Sequence, residues 1–327
     1  MSDRLTIISS DGNVAKPKKT TVTKATKRVT AQAKLDRLWL LNPDQFNPLL
    51  DCIGRERIKL TIDLINKCFK EPAKMVADLG SGTGYFAQHL AEQQMEVHAV
   101  ELSLLPLKNL ENLKFQNIKL FQDYIPHTTL ESDVYDLVLG LDLIAYLEKI
   151  EYRLFFAELA RLVKLDGFVV VSTPIDIYSE DALQKFVELV ESEFNIENYA
   201  LSYNSFFLRL CHFFESPAIF VKASSDQIFY EKELAKRFSI NRSLFKMNTS
   251  KIASYFWSFI QFFTTPLLNW LKQSKFIMVK LETLCRFISN ESGISHAIFV
   301  GKKRKLFEDI AEDKAPIERK GKQMVWE

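Results

Sequence analysis

Residues 78–84, Asp-Leu-Gly-Ser-Gly-Thr-Gly, place three glycines at alternate positions directly behind an acid. Glycine has no Cβ and reaches positive φ cheaply, so such a turn lets the main chain come close to a ligand. A dinucleotide site wants G-x-G-x-x-G with a helix N-terminus facing a pyrophosphate, but the third glycine of that pattern would fall at Tyr85. No Gly-Lys-Ser/Thr follows, which excludes a phosphate-binding P-loop. Two more acids stand at comparable places downstream, Glu101 in HAVELS and Asp123 in LFQDYIPH. The chain has only 10 glycines, so three within five positions is a local requirement rather than loop background.

The elements around these residues alternate regularly. MVADLG predicts a strand, YFAQHLAEQQ a helix, EVHAVEL a strand, LLPLKNLENLKF a helix and NIKLFQ a strand; YDLVLGL, EYRLFFAELARLV and GFVVVSTP continue as strand, helix and strand. Short apolar strands separated by amphipathic helices indicate a mostly parallel sheet covered on both faces, a doubly wound α/β domain. In such sheets ligands sit at the carboxyl ends of the strands, where Asp78, Glu101, Asp123 and Asp142 all fall.

The rest of the chain divides around this domain. Residues 1–34 hold seven basic side chains and no acid between Gly12 and Lys34 and are expected to be a disordered basic tail. Residues 35–72 predict a helical element beside the sheet, and the α/β domain is expected to span 73–210 and to close with a last strand in 292–305. Between these lies a helical, aromatic-rich insertion, 211–291, and 306–327 form a polar tail. A net charge of +2 argues against a protein whose main work is coating nucleic acid. Four scattered cysteines offer neither a zinc nor a disulfide framework, so no metal is expected, and with no signal-peptide stretch the expected setting is the cytoplasm.

The sequence DLGSGTG, followed by Glu101 seventeen residues after Gly84 and by Asp123, resembles the first motifs of the class I S-adenosylmethionine-dependent methyltransferases. The resemblance covers about residues 50–200 and the final strand. It implies a Rossmann-like seven-stranded sheet, S-adenosylmethionine as cofactor, and a glycine turn of Gly80, Ser81, Gly82 and Gly84 lying against it. It further implies that Asp78 helps to hold the ammonium end, that Glu101 accepts the ribose hydroxyls beside Leu102, that Asp123 and Tyr124 flank the adenine, and that Leu141 runs under the methionine part. Many small-molecule enzymes of the family carry Glu-His after the fourth strand; Ala145 and Tyr146 stand there instead, so no acceptor base carries over. His127 and Asp142 are the remaining catalytic candidates, although alignment of an already activated methyl group needs no obligatory side chain.

The methyl acceptor is expected to be a small or lipid-like molecule. From Leu234 to Leu281 the insertion has no acid, while lysines and arginine bracket IASYFWSFIQFFTTPLLNWL. Three readings compete for it: an interfacial helix pair on an anionic membrane through residues 240–285, peripheral at the inner face; a buried cap over the active site; and a membrane span, for which Ser254, Gln261, Thr264 and Pro266 are poor residues. Rival functions are a non-catalytic protein of this fold that binds a membrane or protein partner, and an RNA or protein methyltransferase recruited by the basic tail. No NPPY-like segment follows the fourth strand, which counts against a nucleic-acid substrate.

Overall fold

The computed structural model describes residues 24–69, 73–176, 181–235 and 239–304. Two helices, α1 (Lys24–Leu41) and α2 (Cys52–Cys68), are joined through a 3₁₀ turn at Pro43–Phe46. The α/β part then runs β1 (Met75–Leu79), α3 (Tyr85–Glu92), β2 (Glu96–Glu101), α4 (Leu104–Asn112), β3 (Ile118–Gln122), β4 (Tyr135–Leu141), α5 (Tyr152–Leu162), β5 (Val163–Pro174), α6 (Ala182–Glu191) and β6 (Phe194–Ser202). Five helices follow: α7 (Ser205–Ser225), α8 (Gln227–Ala235), α9 (Ser239–Asn248), α10 (Lys251–Gln273) and α11 (Lys275–Ser289). Strand β7 (His296–Lys303) closes the fold.

The seven strands lie in the order β3-β2-β1-β4-β5-β7-β6. Pairings from β3 through β5 are parallel, and β7 runs antiparallel to both neighbours. Strand order reverses at β1, between β2 and β4, which opens a crevice at the carboxyl end of β1. Alternate residues of each strand feed opposite cores. Ala77 and Leu79 join Val138, Phe155, Phe156 and Val169 on one side, while Val76 joins Leu64, Leu90, Val97 and Leu137 on the other.

Two boundaries differ from those read in the sequence. The first helix starts at Lys24, so residues 24–34 are not disordered tail: they contain Ala25, Ala31 and Ala33, no glycine or proline, and continue into a turn anchored by buried Trp39. Arg28 donates to the Gln122 carbonyl (2.8 Å) and Ser103 to Asp36 (2.5 Å), tying α1 to the edge of the sheet. The insertion begins at Ser205 rather than 211, because Phe207 is already committed to a separate cluster with Cys52, Cys211, Leu268, Leu271 and Met278. The polar tail 306–327 and residues 1–23 lie outside the described residues.

The buried-cap reading of the insertion fails. Helix α10 leaves Tyr255 81% and Phe262 74% exposed, and none of its residues lines the cavity at the glycine turn. Its buried contacts go to α7 and α2 instead. Among the described residues no helix is long and apolar enough to cross a membrane.

Candidate active site

The turn after β1 is fastened to the end of β2. Gly80 and Ser81 donate their N–H groups to the Val100 carbonyl (2.8 and 3.1 Å), and Gly82 N–H donates to Glu101 Oε2 (3.2 Å). The other Glu101 oxygen accepts from Leu102 N–H (2.8 Å) and Ser103 N–H (3.1 Å). All three glycines have positive φ, but for different neighbours. A Cβ on Gly84 would strike Leu110 at 2.1 Å and one on Gly80 would strike Leu143 at 2.8 Å, whereas one on Gly82 would meet only the Gly80 carbonyl oxygen at 3.8 Å. Gly80 and Gly84 thus serve packing, while Gly82 faces open space.

That space is a cavity lined by Asp78, Gly80, Ser81, Gly82, Glu101 and Leu141. The N-terminal segment and the turn after β4 also line it, with Leu35, Trp39, Phe46, Leu143 and Tyr146. Trp39 stacks on Phe46 with centroids 4.3 Å apart, and Phe46 lies 5.8 Å from Tyr146. Five buried side-chain polar atoms have no partner among the described residues, and three of them, Asp78 Oδ2, Ser81 Oγ and Arg57 Nε, belong to residues lining this cavity. Buried polar groups are otherwise almost always satisfied, so three orphans around one cavity mark a place built for a ligand.

Electrostatics divides the acids of the site. Burial, with the nearby Glu101 charge, pushes the Asp78 carboxyl up to about 7. Burial also raises Glu101, against the three backbone N–H groups that favour its charged form. Asp142 behaves oppositely. Burial alone would raise it, but the charge and hydrogen bond of His296, with Arg57 and Ser172, outweigh that and hold its carboxyl well below the usual range. Arg57 Nη1 donates to Asp142 Oδ2 (3.0 Å), while Ser172 Oγ (2.9 Å) and His296 Nε2 (2.7 Å) meet Oδ1.

The remaining residues singled out in the sequence lie outside the cavity wall. Leu102 is buried behind Glu101. Asp123 is also buried, and its Oδ2 accepts from Thr129 N–H (2.8 Å) and Oγ1 (2.6 Å), closing its own loop. The Tyr124 hydroxyl donates to Glu151. His127 is exposed on the same loop, with its backbone N–H on the Tyr124 carbonyl (2.8 Å). Arg57, Trp39, Phe46 and Tyr146 were not singled out for the cofactor site. Arg57 sits in RERIK, a run that looks like the water-facing side of a helix, and only its reach to Asp142 reveals otherwise.

Residues 76–167 match a family model described as a methyltransferase domain. No curated protein matches the chain in sequence. Among solved structures, the N-methyltransferase NodS from Bradyrhizobium japonicum, in complex with S-adenosyl-L-homocysteine, is 15% identical over 52% of this chain and 89% of that one, with a TM-score of 0.45. The PH0226 protein from Pyrococcus horikoshii is 18% identical over 50% of this chain and 92% of that one (TM-score 0.43). A SAM-dependent methyltransferase from Aquifex aeolicus is 14% identical over 49% and 92% (TM-score 0.40). All three scores lie below 0.5, so the family match and the residues themselves carry the assignment. The chain carries a class I S-adenosylmethionine-dependent methyltransferase domain; it is an enzyme of this class, and S-adenosylmethionine is its cofactor.

The orphaned atoms fit that cofactor. A carboxylate suits its ammonium and a guanidinium suits its carboxylate, and beside these atoms the bare Gly82 leaves room for close approach.

Proposed function

We propose that this enzyme methylates a small, largely apolar or lipid-like acceptor, and that it does so by alignment rather than with a dedicated base. The observation that carries the reading is that Trp39, Phe46, Leu143 and Tyr146 give the cavity shared with Asp78 and Gly82 an aromatic and aliphatic lining. S-adenosylmethionine supplies an already activated methyl group on a sulfonium. Asp78 would hold its ammonium end, Arg57 its carboxylate, Glu101 its ribose, and the Gly80–Gly84 turn its adenosyl portion. Leu141 would support the methionine part. Asp142, held ionised between Arg57, His296 and Ser172, would position the cavity wall. His127 would play no part in proton transfer, since it does not line the cavity. Asp123 and Tyr124 would shape the loop next to the adenine without touching it directly, each being committed to a neighbour. A lining of this kind desolvates an acceptor and orients it, and orientation is the main requirement of an in-line displacement.

Two measurements address this reading. Transfer of labelled methyl from S-adenosylmethionine to extracted lipids, to RNA and to protein, followed by partition into organic solvent, is expected to place the label in the organic phase. Label in RNA or protein, or no transfer to any fraction, overturns the acceptor assignment. For the cofactor side, Gly82→Ala is expected to cost the fold about 1–2 kcal/mol through its left-handed φ. It should also weaken S-adenosylmethionine binding roughly tenfold or more, since a lost contact of about 1.4 kcal/mol is a factor of ten. Calorimetric titration checks this; unchanged affinity in Gly82→Ala removes the close approach.

A further inference from the structure

The insertion turns its apolar side chains the wrong way for a helix that faces only water. Along α10, Ile252, Phe256, Phe259, Phe263, Leu267 and Trp270 follow at intervals of three or four, which puts them on one stripe, and all are 42–87% exposed. Tyr255 and Phe262 widen that stripe. The opposite face, packed toward α7, holds Ser254, Gln261 and Thr264 beside Trp257, Leu268 and Leu271. Three polar residues are therefore half-buried while most of the aromatic ones are displayed. Phe276 and Phe287 of α11 are likewise exposed, at 73% and 87%. With about 150–250 Å² per aromatic side chain, these helices display on the order of 1,000 Å² of apolar surface, beyond the few hundred usual for a lone protein.

The charge around the stripe says what covers it. Between Leu234 and Leu281 there is no acid. Lys272 and Lys275 are committed to Glu215 and Glu56, which bolt the C-terminal end of α10 and the start of α11 to neighbouring helices. Arg242, Lys246 and Lys251, at the other end, form no ion pair among the described residues. Unpaired cations beside an aromatic stripe with Trp and Tyr match the boundary of a bilayer with anionic head groups. The helix does not have the composition to span one, so it would lie in the interface plane.

We infer that α10, with the exposed edge of α11, docks this enzyme on an anionic lipid surface. The C-terminal end of the same helix holds a segment next to the active site. Gln273 Nε2 donates to the Leu50 carbonyl (2.7 Å), and Leu268 and Leu271 pack with Cys52, so this bolted end of α10 braces the segment whose Asn47 and Pro48 line the cavity. Only the supply of a lipid-like acceptor from that surface rests on the proposed function; docking itself does not.

The test is flotation of the full chain with vesicles of phosphatidylcholine, with and without phosphatidylglycerol, beside calorimetric titration of S-adenosylmethionine on the same samples. The wild type is expected to float with the anionic vesicles and to be released by high salt. Phe259→Glu combined with Phe263→Glu should lower the partition coefficient about tenfold or more while cofactor binding and melting temperature stay unchanged, because both side chains face outward. Lys246→Glu with Lys251→Glu should remove the preference for phosphatidylglycerol. Failure of the wild type to float, or equal flotation without phosphatidylglycerol, overturns the inference. So does a stable dimer that Phe259→Glu with Phe263→Glu dissociates, which would make the stripe a protein interface. Cofactor binding without flotation defeats the docking alone; flotation without cofactor binding defeats the proposed function alone.

Discussion

Asp78→Asn is expected to stabilise the cofactor-free protein and at the same time to cripple cofactor binding. Asp78 is 3% exposed, its Oδ2 has no partner, and its carboxyl is raised to about 7 by burial and by Glu101. Its unfolded value is near 3.8, so the folded chain holds the proton more tightly than the unfolded one. Below that unfolded value both states are protonated and nothing is lost. As pH rises from there through about 7, folding loses stability, and above it the whole cost of an ionised buried carboxylate is carried. Asparagine has the same size and never carries that charge, although its amide brings an unpaired donor of its own. The net gain should be about 1–2 kcal/mol at pH 8, at roughly 2–4 °C per kcal/mol for a chain of this size, and should vanish near pH 4. Binding moves the other way. Losing a charged hydrogen bond to the ammonium of S-adenosylmethionine should weaken affinity roughly 10- to 100-fold, and wild-type affinity should climb as pH rises toward 7 and Asp78 ionises. Calorimetry across pH, paired with thermal melts, reads both effects. A variant that binds as well as the wild type would remove Asp78 from the site.

That opposition between stability and function explains which parts of the site were legible in the sequence. The glycine turn and Glu101 are visible because their work is done by the main chain and by a carboxylate at a fixed distance along it. Gly82 needs its bare Cα, and Glu101 caps the turn through Gly82, Leu102 and Ser103, all near in the chain or fixed by strand pairing. Asp123 and Tyr124 look the same in one dimension. In three dimensions Thr129 and Glu151 satisfy them, one six residues away and the other 27, and no spacing rule distinguishes a satisfied acid from a waiting one.

The alternation of strands and helices was likewise readable, because a sheet covered on both faces must be apolar on both faces. Orientation in the insertion was not. The string IASYFWSFIQFFTTP permits either a buried or a displayed aromatic face, and the choice depends on α7, whose Phe207 and Cys211 take Leu268 and Leu271 instead. The N-terminal boundary failed for a related reason: α1 is held by Gln122 and Ser103, partners 94 and 67 residues away, which local composition does not register.

Asp142→Asn is expected to alter binding and acid stability without changing how the rate depends on pH. An acid at the carboxyl end of β4 invites a role as general base, and a base removed from its place costs about 10²–10⁴ in rate. The neighbours argue otherwise. Asp142 sits at φ +55°, its backbone N–H donates to the Ser172 carbonyl (3.0 Å), and both carboxylate oxygens are engaged, one by Arg57 and the other by Ser172 and His296. A carboxylate held that far below the usual range is a poor proton acceptor at neutral pH. It is well placed as an anchor, because Arg57 belongs to α2 and both Arg57 and Asp142 line the cavity. Its lowered folded value means the stabilisation is fully present above the unfolded value of 3.8 and is lost as pH falls below it. The Asp142 side chain is 37% exposed, so solvent screens the pair with Arg57, and asparagine should cost only about 1 kcal/mol at neutral pH. That difference should shrink on acidification. Loosening the wall should raise KM for S-adenosylmethionine several-fold, with kcat falling by less than about tenfold, since misplacement rather than lost proton transfer is the defect. A fall of kcat by about a hundredfold, with loss of the acidic limb of its pH profile, would make Asp142 the base and would refute catalysis by alignment alone.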